Sequence, residues 1–567
     1  MRRAVTSLWA RRNSPPVVTG ALWLSLIGAF GFLVWVDRHQ WFDSDEWGFL
    51  VGRSVLGHQG TAGLLQASNG HWVTIPILGF RVLFAIFGAR TYLPYIVVTI
   101  VVSLATTYLL WRLLLRIGVS PWLSVIACAL FAVLGVAFED LTSAFQWTLI
   151  GPVLIGLAAL LISPVRGPLG RRDAVVVALL VAGLLFSNVG VVMVVVVTVA
   201  VTLRRGLRTG VAVAVVPAVV YSAWYFAYAR HTSGAGQLPL RTALQGAPNF
   251  VWQGLLAAMN GATGLAGIGS VLLVLLAIWL LRNSRWNQEP WPILLATASG
   301  ALVFLFLTAL ARGGLGNPGA QSSRYTYVVI ALLLPGAALA VDRLLKPGEI
   351  RVVAIGVGAV LLLIVQLSTL NNAATMTSRV VQEKKHRVMA AAVLAREHVP
   401  VISQAVVPDS DPQLTLAAID RLSRAGQLPG NVQVTPEDIL TAREYLQTGL
   451  GPKPEVRHPA RAVVLSVSGA QLSAGPGPGC ITVAPQSDQP TIQLGLRGSA
   501  ALPIRSGYDG MLTLVLRGLD AAGRSRQFTL PAGQTLTLSL ERVPATLGMT
   551  LPSAGPTTIC GVAPAGS

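Results

Sequence analysis

Long apolar runs, separated by short segments that carry arginine, occupy the first two thirds of the chain. Residues 17–36 form the first run, about 20 residues long. That length crosses the hydrocarbon core of a bilayer as a helix. Further runs of spanning length follow at 92–113, 121–138, 146–163, 211–228, 263–281, 291–310, 326–345 and 352–370. The stretch 174–203 is longer and has basic residues at both ends: Arg171 and Arg172 before it, Arg204, Arg205 and Arg208 after it. Two ends on one side imply a hairpin of two short spans turning at Ser187 and Asn188. Residues 73–87 are also apolar, but the run is short, contains Pro76 and has Arg81 at its centre. It reads as an amphipathic helix lying in the outer interface. The pattern predicts eleven spans.

The pattern changes at about Asn371. Residues 379–398 read as a helix, and mixed, partly helical sequence continues to about Gly451. From Arg461 short β-like runs follow: AVVLSVS, CITV, TIQLGL, LTLVLRGL, QFTL and LTLSL, with Gly, Pro, Asn or Asp between them. A spacing near ten residues predicts a β-sandwich. The expected fold is a polytopic α-helical membrane protein with a C-terminal α+β region. Its domains are 1–370 (outer loop 37–91, interfacial helix 73–88), a mainly helical segment 371–455, and a sandwich at 456–567.

Composition agrees. The chain is 53% hydrophobic and only 11% charged, against about 25% charged in soluble domains. The net charge of +19 suggests nucleic acid as a partner, but its distribution argues against that. The basic residues fall between apolar runs, as the positive-inside rule requires. With Arg2, Arg3, Arg11 and Arg12 inside, the cytoplasmic segments hold seventeen Lys/Arg and four acids, and the outer loops hold eight arginines. The expected location is the cytoplasmic membrane, with the N-terminus inside and the C-terminus outside. Cys480 and Cys560 then lie in an oxidising space and are free to pair, whereas Cys128 lies in an apolar run.

The acids locate the candidate chemistry. Outside the tail, the outer side holds six: Asp37, Asp43, Asp45, Glu46, Glu139 and Asp140. None lies in the centre of a span, where ion-coupled transporters usually place theirs. Three crowd into FDSDEW, just after the first span. The same acids suit a helix N-terminus, with Asp43 or Ser44 capping. Glu139 and Asp140 also suit a solvated loop, His71 a packed interfacial histidine, and Gln146 a span boundary. Among the outer arginines, Arg324 stands where a polar loop enters a span, in QSSRYTYV, next to Tyr325; an arginine there can grip a phosphate with two N–H groups. Arg81 is the second such candidate.

This layout resembles the GT-C glycosyltransferases, which use polyprenyl-phosphate sugars and include protein mannosyltransferases, aminoarabinose transferases and arabinofuranosyltransferases. The resemblance covers residues 17–370. It rests on Asp45-Glu46 in FDSDEW after the first span, on GHW (Gly70, His71, Trp72) before the interfacial helix, and on SRYTYV before the tenth span. It implies transfer of a sugar to a hydroxyl of a cell-envelope glycan, lipid or protein, with inversion, at the outer face of the membrane. Asp45 would be the base, with Glu46 and Asp43 as alternates. Arg324, Arg81, His71, Tyr325, Glu139, Asp140 and Gln146 would contact substrate. No cofactor is required; a divalent cation is compatible with the scheme and would fall to Asp45 and Glu46. The rival class is a lipid-linked glycan flippase, a polymerase or a non-enzymatic assembly protein, none of which needs a base in the first loop. The tail contains no tryptophan, which argues against a sugar-stacking role for it.

Overall fold

The computed structural model describes residues 15–53, 62–230, 238–283, 288–344, 349–397, 402, 404–407, 412–446, 448–454, 459, 462–517, 525–540 and 544–563. The chain is mostly helical and ends in a β-rich region. It divides into two compact units, Met1–Gln40, Leu64–Gly79 and Leu93–Ser378 in one, Trp41–Gly63, Phe80–Tyr92 and Arg379–Ser567 in the other. This grouping differs from the boundaries expected from sequence, because most of the first outer loop falls in the unit that holds the tail.

In the first unit every run read as a span contains helix, although 121–138 is interrupted after Ala132 and, past Thr263, 263–281 is helical again only from Ile268. Among the described residues of the chain, eight helices are long and apolar enough to cross a membrane, or nine with the bent pair Leu240–Thr263 and Ile268–Asn283 counted as one span. The expected hairpin is present as Arg171–Leu184 and Val189–Arg205, with the break at Ser187 and Asn188. At 14 and 17 residues these helices are shorter than the roughly 20 residues that cross a bilayer upright. The protein is therefore a multi-pass membrane protein by its helices, and the count of eleven depends on the short ones. Arg2, Arg3, Arg11, Arg12, Arg285 and Lys346, which carried part of the orientation argument, lie outside the described residues.

Leu240–Thr263 meets Ile268–Asn283 at 104°. The turn between them contains Gly264 and Gly267, both with positive φ, a conformation that glycine adopts without Cβ strain. The run 73–87 is a helix as expected, Thr74–Phe87. Gly79 in it lies against the outer edge of the Trp147 indole, where a Cβ would collide with the ring. The last apolar helix does not stop at Asn371. It continues as one helix from Glu349 to Arg396, 48 residues long.

Among the described residues of the second unit twelve strands form two six-stranded sheets, ordered β1-β9-β6-β11-β4-β3 and β12-β2-β5-β10-β7-β8. Here β1 is Thr448–Gly451, β2 Ala462–Ser468, β3 Ala470–Ala474, β4 Cys480–Pro485, β5 Thr491–Arg497 and β6 Ala500–Ser506. The remaining strands are β7 Gly510–Arg517, β8 Ser525–Leu530, β9 Thr535–Leu540, β10 Pro544–Thr550, β11 Thr557–Cys560 and β12 Val562–Ala563. Alternate residues of both sheets, among them Leu494, Leu514, Leu502 and Leu538, share one buried core. All six β-like runs fall in strands where they are described; Gly518 and Leu519, the end of LTLVLRGL, lie outside the described residues. Two strands missed by pattern contain proline, which lacks the N–H a ladder needs: Pro503 lies within β6 and Pro544 opens β10. Another, β1, pairs with β9 although it lies outside the expected sandwich boundary. Cys480 and Cys560 face each other on β4 and β11 and form the expected disulfide.

Candidate functional site

Polar groups gather at two places, one in each unit. In the second unit the stretch FDSDEW is held by its aromatic residues. Trp41, Phe42 and Trp47 are buried, with ring centroids 5.2 Å apart for Trp41 and Trp47 and 5.5 Å for Phe42 and Trp47. Phe42 also meets Tyr92 edge-on at 5.1 Å. On this base a short helix, Ser44–Trp47, starts with a capping box. The Asp43 carboxylate accepts from the Ser44 N–H at 2.8 Å, and the Glu46 Oε2 accepts from the Asp43 N–H at 3.0 Å. Ser44 has φ of 30°, a strained value for a residue with a Cβ, and the reciprocal cap holds it there.

The three acids of the motif thus have different tasks. Glu46 is buried, 2% exposed, and its second oxygen accepts from the Tyr92 hydroxyl at 2.8 Å. Asp43 caps the helix and pairs with Lys384 Nζ at 2.5 Å. Asp45 is on the same turn, half-buried, and is not a member of the capping box. The neighbouring Lys385 lies over the Trp41 ring at 5.8 Å. Arg81 is joined to the same loop, its Nε donating to the Arg53 carbonyl at 2.6 Å. Phe80, next to Arg81, meets Phe49 at 5.4 Å, and Phe49 lies one helical turn beyond Asp45. Lys384 and Tyr92 were not visible as partners of this motif. The one hint was that Lys384 and Lys385 are two of only four lysines in the chain.

Removing the Glu46 carboxylate breaks the cap and strands the Tyr92 hydroxyl. Glu46→Ala is expected to lower stability by about 3 kcal/mol, read from denaturation of the full chain. A loss no larger than that of an exposed substitution would show that Glu46 does not brace the loop.

In the first unit Glu139 and Asp140 lie on a short helix, Phe138–Thr142. Glu139 pairs with Arg324 Nε at 3.1 Å, and Ser322 Oγ lies 3.2 Å from the same nitrogen. Asp140 is fully buried, and neither of its oxygens has a hydrogen-bond partner; the Gln146 Oε1 is in the same condition. Asp37, 2% exposed, is a second buried carboxylate of this unit with both oxygens unpartnered. Tyr325 packs against Phe304 at 5.9 Å. The structure thus brings Glu139, Arg324 and Tyr325 together and replaces the expected solvated loop at Asp140 with an interior position.

The GHW turn lies in this unit as well. Trp72 stacks on Trp224 with centroids 5.1 Å apart and planes 3° from parallel. The Asn188 amide donates to the Gly70 carbonyl at 2.9 Å, so the hairpin turn is also a clamp on this loop. Burial lowers the His71 pKa to about 4, with a smaller contribution from the nearby Arg312 charge. His71 is therefore neutral at pH 7. An unfolded chain binds a proton at His71 near pH 6.5, so folding stability falls as pH drops below 6.5 and stops falling below about pH 4. His71→Gln is expected to flatten that part of the stability profile, seen as a smaller change in melting temperature between pH 7.5 and pH 5. An unchanged slope would assign the dependence to other groups.

Among the described residues no three His, Cys, Asp or Glu side chains gather as a metal site. No family model, no curated protein and no solved structure matches the chain.

Proposed function

We propose that this protein is an inverting glycosyltransferase of the cell envelope. It takes a sugar from a polyprenyl-phosphate donor at the outer face of the cytoplasmic membrane, with its N-terminus inside and its C-terminus outside. The acceptor hydroxyl oxygen attacks the anomeric carbon. The bond from that carbon to the phosphate oxygen breaks, and polyprenyl phosphate leaves with the electron pair. Asp45 receives the hydroxyl proton.

The observation that carries this reading is the division of labour in FDSDEW. A catalytic carboxylate must be fixed in position yet reachable by substrate. The capping box, the Lys384 pair and the Tyr92 bond fix the turn through Asp43 and Glu46. Asp45, half-buried on that braced turn, takes the role of base. The leaving phosphate is assigned to Arg81, whose guanidinium Nε donates to the Arg53 carbonyl and ties it to the loop that carries Asp45. Arg324, whose Nε is likewise engaged, with Glu139, is the alternative. A guanidinium suits this task because it stabilises the charge that develops on the phosphate oxygens.

The test is transfer of radiolabelled sugar from a polyprenyl-phosphate donor by Asp45→Asn. Retention of full activity would sink the assignment. A protein that moves lipid-linked glycan with no transfer, in wild type and variant alike, would favour the flippase class.

A further inference from the structure

Four consecutive basic residues, Lys384, Lys385, His386 and Arg387, lie in the tail part of the helix Glu349–Arg396, in the same unit as FDSDEW. Three of them stand beside a carboxylate. Lys384 pairs with Asp43 at 2.5 Å, His386 lies 3.6 Å from Asp438, and Arg387 lies 3.4 Å from Glu383. Lys385 has no acid partner among the described residues.

Its place on the helix makes that lack costly. Positions 381, 385, 388 and 392 follow one another at helical spacing, and Val381, Val388 and Ala392 are buried. Lys385 thus stands on the packed stripe, where an apolar side chain is the ordinary occupant, and it is itself partly buried. Its ammonium lies over the Trp41 ring, 5.8 Å from the centroid, a contact that offsets only part of the desolvation of a charge. Trp41 also lacks a partner: its indole N–H is buried and has no acceptor among the described residues. Both groups are donors in want of an acceptor. The nearest carboxylates of the motif are engaged elsewhere, Asp43 with Lys384 and Glu46 with Tyr92 and the Asp43 N–H. A phosphate brings both the acceptor oxygens and the missing negative charge.

We infer that Lys385 holds the phosphate of the lipid-linked sugar donor, so that the tail helix supplies a cation to the site built on FDSDEW. This assignment rests on the reading of that motif as the place of sugar transfer. Two cations then serve the phosphate, Arg81 from the first outer loop and Lys385 from the tail. The tail is part of the binding site and not an appendage to it.

The test reads binding without turnover. Full-length protein in detergent is titrated with undecaprenyl phosphate, undecaprenol, inorganic phosphate or phosphatidylglycerol and followed by native mass spectrometry and melting temperature. Wild type is expected to bind undecaprenyl phosphate at least about tenfold more tightly than undecaprenol. Lys385→Met is expected to remove most of that difference, and Lys385→Arg to keep it. Without ligand, Lys385→Met is expected to melt no lower than wild type, because methionine fills the packed stripe with no charge to desolvate. Binding of undecaprenyl phosphate unchanged by Lys385→Met would overturn the inference and leave Lys385 as a brace for Trp41. Equal affinity for phosphatidylglycerol would overturn it as well, because the site would then take any anionic lipid, and so would equal affinity for inorganic phosphate. Sugar transfer is assayed separately. Phosphate binding that depends on Lys385 in a protein that transfers no sugar would keep this site and sink the transferase reading. Transfer that depends on Asp45, with binding indifferent to Lys385, would do the reverse.

Discussion

Replacing Asp45 with asparagine is expected to reduce sugar transfer by about 10²–10⁴-fold, with the melting temperature of the variant measured alongside. The amide matches the carboxylate in shape but does not accept a proton from the acceptor hydroxyl. Asp45 contributes nothing to the capping box, so the turn Ser44–Trp47 remains braced by Asp43 and Glu46. The contrast with its neighbours makes the experiment decisive. Asp43→Asn removes the ion pair with Lys384 and weakens the cap, so its first effect is on stability. Glu46→Gln loses the charge that Tyr92 and the Asp43 N–H address, and it is also expected to act through stability. If Asp45→Asn transfers normally while Asp43→Asn or Glu46→Gln is dead at full stability, the base has been misassigned within the motif. If all three transfer normally, the motif is structural and the reaction uses another group.

Loss of the disulfide should have the second-largest effect. Cys480 and Cys560 close a loop of 80 residues, and restricting the unfolded chain over that length contributes about 4 kcal/mol. The bridge also joins β4 to β11, which has β6 on its other side, so it holds a strand in the interior of its sheet. Cys480→Ser with Cys560→Ser is expected to lower the protection of amides in both sheets against hydrogen exchange in the full-length protein. The helices of the membrane unit should exchange as before. Equal protection in oxidised wild type and in the double variant would show that the shared core of the two sheets suffices without the bridge.

Much of the fold was legible in the sequence, for one reason. A backbone inside a bilayer satisfies its own hydrogen bonds, so a long apolar run of this kind is a helix. The hairpin at Ser187 and Asn188, the helix Thr74–Phe87 and the six β-like runs were readable from spacing and end charges. Of the strands that were not, β6 and β10 carry Pro503 and Pro544, against which local propensity argues, and the others are short strands recognised only by their pairing. The end of the helix Glu349–Arg396 was misplaced for a related reason. The change from apolar to polar sequence at Asn371 marks a change of environment, but no glycine or proline there stops the helix.

The candidate sites divide in the same way. By itself the sequence determined the residue types and their rarity: three acids in FDSDEW, two adjacent lysines among four, an arginine at the head of SRYTYV, and two tail cysteines. Those follow from counting, because a charge in a greasy chain is conspicuous. Tertiary structure alone decided which of them are committed to holding the fold. The Lys384 ammonium meets Asp43 from 341 residues away, and the Tyr92 hydroxyl meets Glu46 from 46 away. The Asn188 amide meets the Gly70 carbonyl across 118. Contacts so far apart along the chain leave no periodic trace in it. They form only when packed helices bring the partners within hydrogen-bond distance. Burial at Asp140 likewise depends on what packs around it and not on its neighbours in sequence.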